Sequence, residues 1–162
     1  MLKELLSYIP NITIPQPNGK PYLTRYYLLL KDREFGNCFL HHFRSSDTDV
    51  DLNEENNEFY DRNYKNYLLH NHPMKWSFSF VLTQGYWEER RNPDNTVSRR
   101  FVKPLSFNFF TPNVFHRVEL VDEEKGAWTL FFTGSRKGRS WGFWNRITRV
   151  YQDFRTYGKA IL

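Results

Sequence analysis

The feature that most constrains the fold is a succession of short apolar runs, rich in aromatic residues, that are separated by polar turns. The turn signals include "NPDN", "TPN", "DEEKG" and "GSRKGR". Such turns, recurring every eight to twelve residues or so, are typical of antiparallel sandwiches and barrels. We therefore predict an all-β chain. The strand-like runs are "YLTRYYLLLK", "NCFLHHFRS", "KWSFSFVLTQGYWEER", "VSRRFVK", "SFNFF", "HRVELV", "AWTLFFTG" and "SWGFW".

Length and composition agree with this prediction. The chain has 162 residues, of which 40% are hydrophobic and 19% aromatic. It is long enough to bury one substantial core and too short for two, so we predict a single domain over residues 1–162. Phe, Tyr and Trp carry much of the apolar share, and these residues favour strands.

Four segments fall outside the strand pattern. Residues 1–9 predict a short helix that stops at Pro10, and residues 11–21 predict a loop because three prolines punctuate them. Residues 47–66 are polar and acidic, which predicts an inserted loop. The tail from Asn145 to Tyr157 predicts a terminal amphipathic helix.

Charge is distributed unevenly. Seven acidic residues and no Lys or Arg lie between Asp47 and Asp61. From Arg99 onward the chain has twelve Lys and Arg but only five acidic residues. A basic half of this kind is compatible with binding nucleic acid or another polyanion. The basic residues come as scattered pairs in predicted turns, which favours a solvated basic face.

The chain shows no signal for export or for a membrane. Cys38 is the one cysteine, so an intrachain disulfide is excluded. No apolar run approaches the roughly 18 residues that cross a bilayer. The N-terminal "MLKELLSYIP" also lacks a basic start and a long apolar stretch. We expect a cytoplasmic protein with no membrane partner.

Histidines give the clearest functional signal. His70 and His72 are separated by one residue, so in a strand both side chains point to the same face. His116 opens another strand-like run directly after "FFTPNVF", so it lies at a turn that leads into a strand. Three neutral imidazoles that converge inside a sheet would hold a divalent transition metal and leave positions open for substrate. The spacing alone also fits surface histidines or hydrogen-bonded core histidines.

The surroundings of these histidines resemble the two motifs of the cupin superfamily, a small jelly-roll barrel. The stretches are "LLHNHPMKWSFSFVLTQGYWEE" and "KPLSFNFFTPNVFHRVEL". The cupin motifs contain a histidine pair, a glycine on the hairpin, a proline in a turn and a last histidine. The matching residues here are the pair His70 and His72, then Gly85, Pro112 and His116. The resemblance covers about residues 22–144 and extends to small bacterial and phage-type cupins of unassigned activity. It implies a cupin-type double-stranded β-helix, with short helical segments at both termini.

One departure from the cupin pattern bears on the chemistry. Where cupins usually carry a glutamate ligand, this chain has Trp76, Ser77 and Phe78. Three histidines without a carboxylate look like the site of the thiol dioxygenases, which hold Fe(II) in this way. A metal with three neutral ligands keeps its full positive charge, which favours an anionic substrate. Three histidines equally hold Zn(II), which activates a bound water, and Mn(II) is a further alternative.

Other residues are candidates for the wall of the cavity. Arg44 would bind a substrate carboxylate, and Tyr86 or Glu88 would supply a proton or a hydrogen bond. His41 and His42 point to opposite faces of a strand, so at most one of them faces the interior. Two sets of alternating apolar residues predict core faces. They are Trp76, Phe78 and Phe80, and Phe107, Phe109, Trp128, Leu130 and Phe132.

The function that these observations favour is that of a metal-binding cupin acting on a small molecule, with an Fe(II) dioxygenase as the first candidate. A zinc or manganese isomerase or hydrolase is the second candidate. A non-catalytic module that binds a ligand or a polyanion is the third, because fold alone does not determine activity. Cupins often pair through strands or terminal segments, so a homodimer is a further expectation.

Overall fold

The computed structural model describes residues 2–15, 20–29, 36–47, 68–136 and 140–156. Almost all regular structure in these ranges is β, which confirms the prediction from the turn spacing. The elements are α1 (Leu2–Ser7), β1 (Asn11–Pro15), β2 (Pro21–Tyr27), β3 (Asn37–Phe43), β4 (Leu68–His70), β5 (Ser77–Val81), β6 (Tyr86–Arg91), β7 (Val97–Val102), β8 (Phe107–Phe110), β9 (His116–Leu120), β10 (Ala127–Thr133), β11 (Gly142–Asn145) and β12 (Tyr151–Asp153).

The strands form two antiparallel sheets of six strands each. The first sheet has the order β1-β2-β3-β10-β5-β8, and the second has the order β12-β11-β4-β9-β6-β7. Consecutive strands such as β1, β2 and β3 pair with each other, but most other neighbours, such as β3 with β10 and β4 with β9, are distant in sequence, as in a jelly roll. The predicted cupin-type jelly-roll barrel is therefore the observed fold.

Two of three groups of buried side chains fill the space between the sheets, and the third lies on the opposite face of the second sheet, where Leu69 and Trp144 alternate with the inward-facing His70 and Phe143. One group surrounds Tyr86 and Val118, a second contains Phe39, Phe110 and Phe131, and a third surrounds Trp144. The second group packs beside the predicted metal histidines, because Phe110 and Phe131 both contact the His72 ring. Apolar packing thus holds one wall of the histidine site.

Both chain ends differ from expectation in one respect. The short N-terminal helix is confirmed as α1, but β1 occupies residues that the prolines predicted as loop. The helix predicted for 145–157 is wrong, since this segment turns at residues 146–148 and continues as β12. Residues 151–153 pair with β11 instead, and Ile147, Val150 and Tyr151 stay largely exposed, so the apolar residues of the tail form no buried helical face.

The two predicted core faces of the first sheet are wrong. Phe107 and Phe109 are 70% and 56% exposed, whereas Asn108 and Phe110 point inward. In β5 and β10 the buried positions are likewise Ser77, Ser79, Val81, Ala127, Thr129, Phe131 and Thr133. Aromatic residues cover the outer face and smaller polar residues line the inner one, so hydrophobicity alone indicated the wrong side.

Gly85 makes the sharp connection between β5 in the first sheet and β6 in the second. Its φ is +71°, a conformation that residues with a side chain rarely adopt. A Cβ atom at this position would lie 2.6 Å from the carbonyl oxygen of Val102. Gly85, which the cupin resemblance indicated, is therefore required both by its backbone conformation and by the lack of room for a Cβ atom.

The acidic insertion predicted for 47–66 lies outside the described residues except for Asp47. Asp47 follows β3 and is held against β9, where its carboxylate accepts a hydrogen bond from the Val118 backbone N–H at 2.8 Å. In the described ranges, no helix has the length and apolar character that crossing a bilayer requires.

Candidate metal centre

His70, His72 and His116 converge at the inner surface of the second sheet. β4 pairs with β9 so that His70 lies directly opposite His116. His72 follows two residues later, beyond the end of β4, and its ring lies 5.1 Å from that of His116 between centroids. One potential ligand nitrogen from each of the three rings lies within 4.8 Å of the other two.

The segment that carries His72 is held in place by Asn71. This side chain is buried between the two histidines. Its carbonyl oxygen accepts a hydrogen bond from the Gly142 backbone N–H at 2.8 Å. Its amide donates to the Pro112 carbonyl oxygen, also at 2.8 Å. Asn71 thus ties the histidine pair to β11 and to the turn that precedes His116.

Glu88 fixes the orientation of the His116 ring. Its carboxylate lies 3.0 Å from Nδ1 of His116 and is fully buried. A carboxylate only accepts hydrogen bonds here, so Nδ1 carries the proton and Nε2 presents a lone pair to the other two histidines. The Nε2 atoms of His72 and His116 are 2.9 Å apart.

Three further side chains stabilise the buried charge of Glu88. Arg90 donates from Nε at 2.7 Å, Arg100 from Nε at 2.9 Å and Asn108 from Nδ2 at 2.8 Å. Burial by itself raises the pKa of this carboxyl, but the hydrogen bonds and charges of His116 and Arg90 outweigh it and hold the pKa well below its usual range. Glu88 is therefore a charged carboxylate at neutral pH.

Burial keeps two of the three imidazoles neutral. It lowers the pKa of His70 to about 4, although the nearby Asp47 charge acts in the opposite direction. Burial also lowers the pKa of His72 well below its usual value, and the neighbouring His116 and His70 lower it further. A neutral imidazole is the form that binds a metal, so these rings are ready to act as ligands at physiological pH.

Asp47 is the carboxylate closest to the cluster on the cavity side. Its Oδ2 lies 3.7 Å from Nδ1 of His70, which is too long for a direct hydrogen bond. The same carboxylate raises the pKa of Tyr22, after the larger effect of burial, through its charge and a hydrogen bond. Asp47 and Tyr22 both line the cavity beside the histidines.

The three histidines open into a cavity of about 440 Å³ between the sheets. A volume of this size accommodates a small organic molecule. Its walls are mainly apolar, with Phe43, Phe110, Phe131, Trp141 and Phe143 among the aromatic contributors. Polar groups are concentrated on the inner face of the first sheet, opposite His70 and His116.

The structure separates the other predicted candidates. Tyr86 lines the cavity, and its hydroxyl lies 3.1 Å from Nδ2 of Asn108. Glu88 is not a lining residue, because it lies behind His116. Arg44 follows β3, and its exposed side chain lies outside the cavity. The expectation that Arg44 lines the cavity is wrong, since strand alternation turns this position away from the interior.

Of the adjacent histidines in β3, His41 faces the interior. Its buried ring stacks on Phe131 with centroids 4.9 Å apart and lines the cavity. Burial, followed by the charge of Arg25, lowers the pKa of His41 well below its usual value. His42 lies on the outer face and stacks on Trp128 at 4.0 Å. This pair obeys the alternation that the sequence indicated.

The donor set fits a divalent transition metal. Three neutral imidazoles suit Fe(II), Zn(II) and Mn(II), and protein ligands on one such metal at about 2.1 Å and roughly 90° lie about 3 Å apart. The 2.9 Å separation of the His72 and His116 Nε2 atoms agrees with that spacing. The Glu88 contact on the opposite edge of His116 is the usual outer support of a metal-binding histidine.

Several residues of the site were missed by sequence reasoning. Two carried a signal, since Arg25 is a lone charge inside a strand-like run and Asn108 is a lone amide between aromatic residues. Asp47 looked like one more acid of the polar insertion. Asn71 and Thr129 gave no signal, because their roles depend on partners more than 40 residues away.

Comparisons with solved structures find the same fold at very low sequence identity. Hydroxypropylphosphonic acid epoxidase from S. wedmorenis superposes with a TM-score of 0.51 and 11% identity, over 79% of this chain and 56% of that one. The DMSP lyase DddQ from Ruegeria pomeroyi superposes with a TM-score of 0.54 and 10% identity, over 83% of this chain and 60% of the lyase. HEPD of Streptomyces albus was solved with 2-hydroxyethylphosphonate and Fe(II). It superposes with a TM-score of 0.54 and 11% identity, over 80% of this chain and 24% of HEPD.

These likenesses establish the fold. The chain spans little more than half the length of the epoxidase and the lyase. No protein-family model and no curated protein matches the sequence.

Proposed function

We propose that this protein is a metal-dependent enzyme of cupin fold that acts on a small molecule, and that its first candidate activity is that of a non-haem Fe(II) dioxygenase. The observation that carries the proposal is the convergence of His70, His72 and His116 on a cavity of about 440 Å³, with potential ligand atoms within 4.8 Å of one another. A structurally similar protein, HEPD, was solved with Fe(II) and its substrate. The three histidines would hold the metal.

The chain's own residues would do the remaining work. An iron centre would supply binding of substrate and oxygen side by side at its open positions. Glu88 would keep the His116 ring in one tautomer and orientation, and the aromatic walls would exclude water from the reacting groups. The Tyr86 hydroxyl would donate a hydrogen bond to the substrate. Burial, followed by the Glu88 charge, raises the pKa of Tyr86, so this phenol stays protonated at neutral pH.

A second candidate activity is a zinc- or manganese-dependent hydrolase, isomerase or lyase. The structural likeness to a DMSP lyase favours this candidate, because the same fold carries non-oxidative chemistry there. Three histidine ligands support both alternatives. A non-catalytic binding module is the remaining alternative.

The test is the metal content of protein purified without a metal-affinity tag. We expect about one transition metal per chain in the wild type and loss of that metal in H72A and H116A. H42A is the matched control, because His42 lies on the outer face against Trp128. Wild-type protein that is free of metal, and that Fe(II), Zn(II) and Mn(II) fail to stabilise, would contradict the proposal.

Oxygen consumption separates the candidate activities. An Fe(II) dioxygenase consumes O₂ with its substrate only when loaded with iron. A zinc hydrolase or lyase transforms its substrate without oxygen uptake. A metal-loaded protein that binds small molecules and converts none of them would be a binding module.

A further inference from the structure

The wall of the cavity opposite His70 and His116 carries a polar cluster that the metal centre does not use. Arg25 in β2 lies opposite His41 in β3, and Thr129 in β10 lies opposite the same His41. All three side chains line the cavity. The charge of Arg25 contributes to lowering the pKa of His72, so this cluster is electrostatically close to the metal histidines.

Arg25 is held in a defined orientation. Its Nε donates to Nε2 of His41 at 3.1 Å, and its guanidinium carbon lies 4.8 Å above the Phe39 ring. His41 is in turn stacked on Phe131. A guanidinium fixed in this way presents its planar edge without the loss of side-chain freedom that a surface arginine undergoes on binding. Arginine in this setting recognises carboxylates and other oxyanions by paired hydrogen bonds.

Thr129 is an independent sign of a ligand. Its side chain is 1% exposed, and its Oγ1 has no hydrogen-bond partner among the residues that the structure describes. A buried hydroxyl without a partner is costly, so such groups usually meet a ligand or an ordered water. Because Thr129 lines the cavity next to His41, that partner would lie within reach of the same pocket.

The charge of the cavity points to an anion. Arg25 and Arg136 both line it, and Asp47 is the one acidic residue among the described residues that line it. Asp47 already accepts a hydrogen bond from the Val118 backbone. Arg136 forms no ion pair with any residue in the described ranges. A divalent metal on the three histidines would add further positive charge.

We propose that Arg25, with Thr129, forms a subsite that binds an oxyanion group of the substrate while the other end of the substrate faces the three histidines. This inference rests on the proposed function, because it takes the cavity as the substrate site. The substrate class is a small organic acid with a short apolar body, which contacts Phe110 and Phe131. Arg44, which the sequence suggested for this role, lies outside the cavity.

The test measures anion binding with and without metal. The probes are propionate, ethylphosphonate, ethanesulfonate and the neutral propionamide, titrated by calorimetry at constant ionic strength into metal-free and Zn(II)-loaded protein. We expect at least one anion to bind tenfold or more tightly than propionamide in both forms. The three acids distinguish a carboxylate substrate from a phosphonate or a sulfonate.

Variants assign the binding to this subsite. R25M should lose the preference for the anion and T129V should weaken anion binding several-fold, with metal content unchanged in both. R44M is the matched control, an exposed arginine directly after β3, and it should bind the anion as the wild type does. If R25M does not fold, T129V replaces it: weakened anion binding in T129V supports the subsite, and wild-type binding in T129V overturns it.

Failure of this inference is distinguishable from failure of the proposed function. Metal binding without any preference for an anion, or equal loss in R25M and R44M, would overturn the subsite and leave the metal centre intact. Anion preference that depends on Arg25 in a protein that binds no metal would support the subsite and overturn the enzyme proposal.

Discussion

The contact between Glu88 and His116 orients one ligand of the candidate metal centre. Glu88 is completely buried and accepts hydrogen bonds from Arg90, Arg100 and Asn108 as well as from His116. These donors compensate a charge that would otherwise be too costly to bury. The carboxylate in turn keeps His116 in the tautomer that exposes Nε2 to a metal.

The E88Q variant should bind metal more weakly. A neutral amide can present its N–H to Nδ1 of His116 and so favour the wrong tautomer, and removal of such outer support typically costs 10- to 100-fold in metal affinity. Competition titration with a chelator measures the change. E119Q is the control, since Glu119 forms an exposed pair with Arg99. Equal affinities of E88Q and wild type would refute the role of Glu88.

Among the secondary-structure elements, the short strand β4 is the one that brings the histidines together. Its pairing with β9 sets His70 opposite His116, and its pairing with β11 sets His70 opposite Phe143. The strand has only three residues, so the direction of the chain beyond it depends on side-chain contacts. Asn71 provides them through Gly142 and Pro112.

The N71A variant should therefore be less stable. It leaves a buried N–H and a carbonyl oxygen without partners, and each unsatisfied group costs about 1–3 kcal/mol. We expect the free energy of unfolding to fall by about 2 kcal/mol or more in urea titrations, with weaker metal binding because His72 is no longer held. N113A is the control, an exposed position in the adjacent turn, and should change stability by less than about 0.5 kcal/mol. A stability equal to that of N113A would contradict the role of Asn71.

Across the two sheets together, buried neutral histidines link folding to pH. The pKa values of His41 and His72 lie well below the usual value, and that of His70 is about 4. In the unfolded chain each of these histidines takes up a proton near pH 6.5. Below that pH the unfolded state binds more protons than the folded state, so stability falls as the pH falls.

Metal-free protein should accordingly be most stable above about pH 7 and should lose stability between about pH 6.5 and 5. Each histidine that stays neutral in the fold contributes a slope of about 1.4 kcal/mol per pH unit within this window. Urea unfolding at several pH values measures this slope, and the free energy of unfolding of the H70A variant should fall less steeply with decreasing pH. The carboxyls with lowered pKa, such as Asp122 and Asp153, take up protons only at lower pH, outside this window. A constant stability from pH 7 to 5 would contradict the buried neutral state.

Much of the architecture and the central site follows from local sequence patterns. Turn residues and short apolar runs indicated antiparallel strands, because turn chemistry and strand alternation act over a few residues. The same alternation separated His41 from His42 correctly. The convergence of His70, His72 and His116 was also predicted, with the help of the resemblance to cupin motifs.

The remaining features depend on contacts between distant parts of the chain, which a local pattern does not encode. The outer face of β5, β8 and β10 is the more aromatic one, so hydrophobicity favoured its burial, and only packing against the second sheet determined that Phe107 and Phe109 face outward. Strand pairing set Arg25 beside His41 and left Arg44 outside. The sequence by itself determined the antiparallel β-fold and the metal-binding residue types, because these arise from local geometry. The tertiary structure determined which face encloses the cavity and which carboxylate supports His116, because these depend on long-range register.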